Sequence, residues 1–224
     1  YTPTNPEAPV DDPSLQQDIP EEAVVVKRRI WEPYMLYKRF VGMGKGDRIN
    51  AGFRSEDKRP PKKEGLAVWI RGNLFIPDAR KFWVKPSVRF LHKELIDSPV
   101  DAIISTGPPH SMHLIAFQLH RQLRIPWIAD FRDPWTEIDF YDQLKLTKRA
   151  DRKHRRLEEE VLTSADRVVV VGSTMAERFR LKAGIESTVI PNGYDEEDFN
   201  RSTTAEAEKQ PDGSGPRFNV VHVG

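Results

Sequence analysis

Residues 100–129 read VDAIISTGPPHSMHLIAFQLHRQLRIPWIA, and this segment has the clearest secondary-structure pattern of the chain. Its first six residues and its last five are short apolar runs, which are typical of buried strands. The segment between them, residues 111–123, is predicted to form a helix. A strand, a helix and a second strand in this order are typical of a parallel sheet, because parallel strands need a long crossover that is usually helical.

The same alternation continues on both sides of this unit. The pattern predicts helices over 79–96, 143–164 and 174–183, and strands over 167–171 and 187–190. Ser173 is predicted to cap the last helix and Gly184 to end it. Continuous apolar strands that alternate with helices predict an α/β fold, a Rossmann-like doubly wound parallel sheet covered on both faces.

The remaining chain is less regular. Residues 1–23 are rich in proline and acidic residues, which is typical of a loop or of disorder, and residues 23–27 predict a short strand. Residues 32–41 predict a helix, and the basic loop 42–64 has glycines whose spacing matches no nucleotide-binding fingerprint. The chain starts at Tyr1 without a methionine and stops within the strand-like run 218–223, so we expect a fragment truncated at both ends.

Composition excludes several classes of protein. The chain has 35 Lys and Arg against 34 Asp and Glu, and this balance argues against a dedicated nucleic-acid binder. The absence of cysteine excludes a disulfide scaffold, a thiolate nucleophile and a Cys-ligated metal. Residues 145–156 (KLTKRADRKHRR) form a basic helix that either contacts anionic lipid or is a solvated, salt-bridged helix.

Ligands of open parallel sheets bind beyond the carboxyl ends of the strands, and the first loop there is TGPPHS. Gly107 would let the backbone approach a ligand, and Pro108 would stiffen the turn. Free N–H groups near His110, Ser111 and Met112 would favour an anion or a sugar hydroxyl. The alternative is a rigid turn in which Ser111 caps the helix. A metal site built from His110 and His113 is disfavoured, because helix-face histidines are usually packed or solvated.

The second loop, DFRDPW, places two carboxylates around a guanidinium. Arg132 could bind a carboxylate or a phosphate, and Asp130 or Asp133 could orient a hydroxyl or take its proton. The alternative is an Asp–Arg–Asp cluster that only shapes the loop. Ser173 and Asn192 follow the next two strands, where a plain cap and a plain turn are the simpler interpretations.

Four segments, TGPPHS after VDAIIS, IPWIADFRDPW, ADRVVVVGSTMAERF and VIPNGYDEEDF, resemble in order and spacing the N-terminal half of bacterial family 4-type glycosyltransferases. That family has a retaining mechanism and the two-domain GT-B fold. The resemblance is good over 100–199, extends to 66–99, and is weak over 1–65. It implies an acceptor-side domain over 1–190, followed over 191–224 by a linker and the first strand of a donor-side domain.

The resemblance also implies chemistry. A nucleotide-sugar would be the co-substrate, no metal or other cofactor would be needed, and the acceptor would be a glycan or a lipid-linked molecule of cell-surface polysaccharide synthesis. Asp130, Arg132 and Asp133 would be catalytic, and Gly107, Pro108, His110, Ser111, Ser173 and Asn192 would bind substrate. Many relatives have a histidine where this chain reads DFRD, so an Asp or Arg would take its place. The protein would be cytoplasmic and peripheral at the inner membrane.

Two other functions remain open at this point. One is a GT-B-like epimerase that acts on the nucleotide-sugar without an acceptor. The other is a catalytically silent homologue that binds glycan or membrane. The resemblance further implies that the first, central strand of the sheet precedes Tyr1, so we expect the fragment to be poorly stable and inactive alone.

Overall fold

The computed structural model describes residues 1–4, 19–31 and 62–194. The predicted helix over 32–41 and the strand-like run 218–223 lie outside these residues. The strands are β1 (Thr2–Pro3), β2 (Lys27–Arg28), β3 (Ile103–Gly107), β4 (Trp127–Phe131), β5 (Arg167–Val170) and β6 (Thr188–Val189). The helices are α1 (Lys62–Leu74), α2 (Lys81–Asp97), α3 (Ser111–Leu123), α4 (Lys148–Ser164) and α5 (Ser173–Ala183), with a 3-10 turn at Tyr141–Leu144.

Four strands form a parallel sheet in the order β3-β4-β5-β6. Ser105 lies opposite Ala129, which lies opposite Val168, so strand residues of matching register share a face. Strands β1 and β2 form a separate two-stranded parallel sheet. The predicted α/β class with a parallel, Rossmann-like sheet is confirmed.

The described helices α3, α4 and α5 cover one face of the four-stranded sheet. The core on this face joins strand and helix residues: Ala116, Trp127, Ala129, Phe131, Trp135, Val161, Leu162, Val168, Val170 and Phe179. On the opposite face of the edge strand β3, Ile104 is 67% exposed and Thr106 is exposed as well. The sequence predicted helices on both faces of the sheet, and the described residues place helices on one face.

A second core lies between α2 and α3. It contains Trp83, Val84 and Leu119, and the ring of Tyr1 stacks on that of Trp83 with centroids 5.3 Å apart. The Tyr1 hydroxyl accepts from Trp83 Nε1 at 3.2 Å and lies 3.0 Å from the Ser87 hydroxyl. The two-stranded sheet is thus attached to the helical layer.

Several predicted boundaries move. The helix expected from residue 143 begins at Lys148, because Thr147 caps it by accepting from the Ala150 N–H at 3.3 Å. The predicted cap at Ser173 is wrong: Gly172 occupies the cap position and Ser173 is the first helical residue. The end at Gly184 is confirmed, with φ of 67° in the left-handed region that glycine tolerates.

The chain divides into two compact units, Tyr1–Pro191 and Asn192–Gly224. Only three residues of the second unit are described. Within the described ranges, none of the helices combines the length and the apolar character that crossing a bilayer requires.

Candidate functional site

Strands β3, β4 and β5 are parallel, so the loops that follow them lie along one edge of the sheet. The first loop leads into α3 and the second contains Arg132–Trp135 (residues 132–135). The Arg132 N–H donates to the Gly107 carbonyl at 2.9 Å, which joins the two loops directly. This edge is where both predicted loops are found.

Gly107 makes room for a histidine of its own chain. A Cβ built on Gly107 would lie 2.5 Å from His113 Nε2. His113 is fully buried, and its Nδ1 lies 2.8 Å from the Ser105 hydroxyl, which accepts from Trp127 Nε1 at 2.8 Å. Burial lowers the pKa of His113 to about 3, so the ring is neutral. The sequence predicted that a ligand would approach the Gly107 backbone closely, and in the structure the His113 imidazole does so.

The N-terminus of α3 is already occupied by a carboxylate. Asp78 accepts from the Ser111 N–H at 2.8 Å, from the Ser111 hydroxyl at 2.9 Å and from the Arg80 N–H at 2.8 Å. The Met112 N–H donates to the Pro109 carbonyl. The expectation of free donors at this helix start is therefore wrong for Ser111 and Met112. Ser111 is also the first helical residue rather than the cap, which is His110.

His110 lies between the two loops. Its ring stacks on Trp135 with centroids 4.7 Å apart and an interplanar angle of 1°. Burial, together with nearby His113 and His154, holds the pKa of His110 well below its usual range. Its Nδ1 is buried and has no hydrogen-bond partner within the described ranges. A neutral imidazole can donate a hydrogen bond to a sugar hydroxyl or accept one from it, but this nitrogen has almost no exposed surface, so a ligand reaches it only if the loop moves.

The second loop contains an ion pair rather than a triad. Arg132 Nε lies 2.9 Å from Asp130 Oδ2, and Asp130 is buried whereas the Arg132 side chain is 44% exposed. Asp133 is exposed and forms neither a hydrogen bond nor an ion pair with the residues that the structure describes. The alternative of a self-contained Asp–Arg–Asp cluster is therefore limited to one Asp and the Arg.

The sheet separates the predicted residues into two groups. Phe131 faces α3 and stacks on His113 at 4.4 Å, so Asp130, one residue earlier, faces the opposite side. In register, Asp130 lies beside Thr106 on that open face. His110 and Ser111 belong to the helical side, and the Asp130–Arg132 pair belongs to the open side.

The remaining predicted residues are exposed. Pro108 lies in the turn between cis peptide bonds, Ser173 is at the start of α5, and Asn192 belongs to the second unit. None of these positions contradicts a role in substrate binding, and their predicted roles stay predictions.

Sequence reasoning missed a buried network behind the second loop. Glu158 is fully buried in α4 and accepts from the Thr136 N–H at 3.2 Å, from the Thr136 hydroxyl at 2.6 Å and from Lys182 of α5. Trp135 Nε1 donates to His154 Nδ1 at 3.0 Å, and His154 Nε2 donates to the Gly72 carbonyl at 3.2 Å. The signal was available: residues 150, 154, 158 and 161 share one helix face.

No group of three histidine, aspartate or glutamate side chains in the described parts of the chain could hold a metal ion. The prediction that the reaction needs no metal is a separate matter and stays a prediction.

Comparison with known families agrees with the motifs. The model of Glycosyltransferase Family 4 matches residues 52–198, which contain both loops and all of β3 to β6. Neither the curated proteins nor the solved structures provide a significant match. The family match spans well over half of the chain, and the chain therefore belongs to Glycosyltransferase Family 4.

Proposed function

We propose that the protein is a retaining hexosyltransferase of GT-B fold. It transfers a sugar from a nucleotide-sugar to a glycan or lipid-linked acceptor in bacterial cell-surface polysaccharide synthesis. The observation that carries this proposal is the family match over the two loops that meet at the carboxyl edge of the sheet. Residues 1–190 form the acceptor-side domain, and 191–224 begin the donor-side domain. The protein acts in the cytoplasm, peripherally at the inner membrane.

The proposed reaction exchanges one bond for another. The bond between the anomeric carbon and the phosphate oxygen breaks, and the acceptor oxygen bonds to that carbon from the same face. The acceptor proton passes to the departing phosphate, whose charge is stabilised by cationic side chains and N–H groups. This chain supplies acceptor positioning, which can contribute several kcal/mol.

The geometry suggests a role for each group. The half-exposed Arg132 guanidinium can donate to an acceptor oxygen while Asp130 holds its Nε. Asp133, on the same loop, is exposed and can accept from an acceptor hydroxyl. His110 offers an uncharged hydrogen-bonding group on the other side of the sheet. Gly107 contributes indirectly, because its missing side chain leaves room for the histidine behind the loop.

Nucleotide release from the full-length protein tests the proposal. UDP-, GDP- and ADP-sugars are screened with and without membrane extract as a source of acceptor. Release that depends on one donor and rises with extract supports glycosyl transfer and names the donor. Release of equal rate without extract points instead to an epimerase-like enzyme, and the absence of release with every donor points to a silent homologue.

A further inference from the structure

The start of helix α4 is strongly cationic, and the two cations of its first turn, Lys148 and Arg149, are disfavoured by the helix dipole, although Asp151 in the same turn is favoured. Its first half holds six cations: Lys148, Arg149, Arg152, Lys153, Arg155 and Arg156. Three glutamates follow at 158–160. A helix N-terminus bears partial positive charge, so exposed cations there cost stability rather than add to it. Helix stability therefore does not explain this arrangement.

Four of these cations form an exposed stripe. Arg155 pairs with Asp151 at 2.9 Å, and Arg156 lies 3.5 Å from Glu160. The other four, which we call the cationic stripe, form no ion pair with any residue in the described ranges: Lys148, Arg149, Arg152 and Lys153. Their spacing of one and four residues places them on one helix face.

An exposed aromatic cluster lies on the same side of the molecule. Trp31 is 55% exposed and meets Phe82, itself 44% exposed, edge to face with centroids 4.9 Å apart. Phe75 packs against Phe82 at 6.0 Å, and the Lys81 ammonium lies over both phenylalanine rings at 5.2 and 4.8 Å. We call Trp31, Phe75 and Phe82 the aromatic cluster.

Two contacts place the aromatic cluster beside the cationic stripe. Asn73, at the end of α1, accepts from the Thr147 N–H at 2.7 Å and so binds the start of α4. The residue after Asn73 is Leu74, and its carbonyl accepts a hydrogen bond from the Lys81 ammonium. Burial and then the nearby charge of Lys153 lower the pKa of Lys81, which is consistent with the closeness of the two ammonium groups.

We propose that the cationic stripe and the aromatic cluster together bind the surface of an anionic lipid bilayer. Tryptophan and phenylalanine partition into the boundary between headgroups and acyl chains, where one end of a side chain is apolar and the other is wet. Lysine and arginine beside them attract anionic headgroups. Headgroup phosphates would also neutralise the positive charges at the start of α4, which otherwise destabilise the helix.

The orientation of α4 gives this surface a functional meaning. Helix α4 ends at Ser164, just before β5 begins at Arg167, so its other end, with the cationic stripe, lies toward the carboxyl edge of the sheet, where the candidate site is. If the acceptor is lipid-linked, which rests on the proposed function, the bound surface brings the site to the acceptor. The membrane contact itself requires no transfer reaction.

Vesicle sedimentation with the full-length protein tests the proposal without any nucleotide-sugar, so its result is independent of the proposed activity. We expect binding to phosphatidylcholine vesicles that contain phosphatidylglycerol to be at least about tenfold tighter than to pure phosphatidylcholine, and to weaken with salt. Equal affinity for both vesicles would overturn the proposal. Heparin binding without vesicle binding would overturn it too, in favour of a soluble polyanion.

Paired variants locate the surface. Arg149→Gln with Arg152→Gln should weaken vesicle binding roughly tenfold or more. The matched control is Arg121→Gln with Arg124→Gln, which removes two exposed cations at the end of α3, toward the amino edge of the sheet. The control should bind as the wild type does. Equal effects of the two double variants would show that net charge, rather than the cationic stripe, drives binding.

Tryptophan fluorescence checks the aromatic cluster separately. Three of the five tryptophans, Trp83, Trp127 and Trp135, are buried, so brominated lipid should quench mainly the exposed ones. The exposed ones are Trp31 and Trp69, so Trp31→Phe in a Trp69→Phe background should remove most of the remaining quenching while the far-UV spectrum stays unchanged. Undiminished quenching in this variant would contradict the proposed membrane contact at Trp31.

Discussion

At the level of single residues, the site depends on the missing side chain of Gly107 as much as on the side chains that are present. Gly107 and His113 are complementary, since the ring fills the space that a Cβ would need. The sequence indicated that Gly107 mattered, and Gly next to two prolines at a strand end is a recognisable signal. It did not indicate why, because the partner is set by the packing of α3 against β3.

Substituting Gly107 with alanine should destabilise the protein by about 1–3 kcal/mol, because a buried ring must move to admit the methyl group. Urea denaturation measures the loss. Gly172→Ala is the matched control, since a Cβ there meets nothing within 4 Å, and it should cost no more than about 1 kcal/mol. Equal losses in the two variants would show that the contact with His113 is not the cause.

Arg132→Ala and Asp133→Ala should each lower kcat/KM at least about tenfold, roughly 1.4 kcal/mol of barrier, if both groups position the acceptor. Steady-state kinetics with the donor found in the nucleotide screen measures this. Asp139→Ala removes an exposed carboxylate from the same connection and should leave activity unchanged. Wild-type activity in either of the first two variants removes that residue from the proposed mechanism.

At the level of elements, the helices and strands after residue 100 were predictable, and so were several of their ends, whereas the helix caps and the long-range partners were not. Apolar periodicity gave α3 its observed bounds and placed β5 within one residue. The predicted cap at Ser173 failed because Gly172, in extended backbone, takes the position before it. The carboxylate at the start of α3 was missed because Asp78 is 33 residues away in sequence, and no local pattern reports such a contact.

The network around Glu158 should contribute more to stability than any exposed charge of α4. Glu158→Gln leaves Lys182 largely buried beside a neutral amide, which should cost about 2–3 kcal/mol in the free energy of unfolding. Glu159→Gln, the exposed neighbour, should cost less than about 0.5 kcal/mol. Thermal denaturation of both variants decides this, and similar melting temperatures would mean that Glu158 is not a structural anchor of the second loop.

At the level of the whole molecule, the architecture was predictable from the alternation of strands and helices. Which sheet face the helices cover, and where the charged surface lies, was not. Sequence could not show that α3, α4 and α5 lie on one face, since the sequence of an apolar strand is similar whether its second face is packed or open. It did identify the basic segment 145–156. It could not show that the aromatic cluster, contributed by segments more than 60 residues upstream, lies beside it.

Buried neutral histidines make the fold sensitive to acid. The pKa of His113 falls from 6.5 unfolded to about 3 folded, so the unfolded state binds more protons between these values, and stability falls as the pH drops below about 6.5. At pH 5 this one residue should cost about 2 kcal/mol relative to neutral pH. His110 and His154, whose pKa values burial also lowers, act in the same direction.

Urea denaturation at pH 7 and pH 5 measures this dependence. In His113→Gln the difference between the two pH values should shrink by about 2 kcal/mol, whatever the variant's stability at neutral pH. An unchanged difference would mean that the ring is not the proton-linked group.

The two loops at the sheet edge are joined by the Arg132 N–H to Gly107 carbonyl bond and by the stack of His110 on Trp135. Because of these two contacts, the loops form one structural unit and cannot be exchanged separately. A chimera that receives only the first loop of another family member would lose the ring on which Trp135 rests, and one that receives only the second would lose the indole that stacks on His110. Exchange of acceptor preference between members therefore requires both loops to be transplanted together.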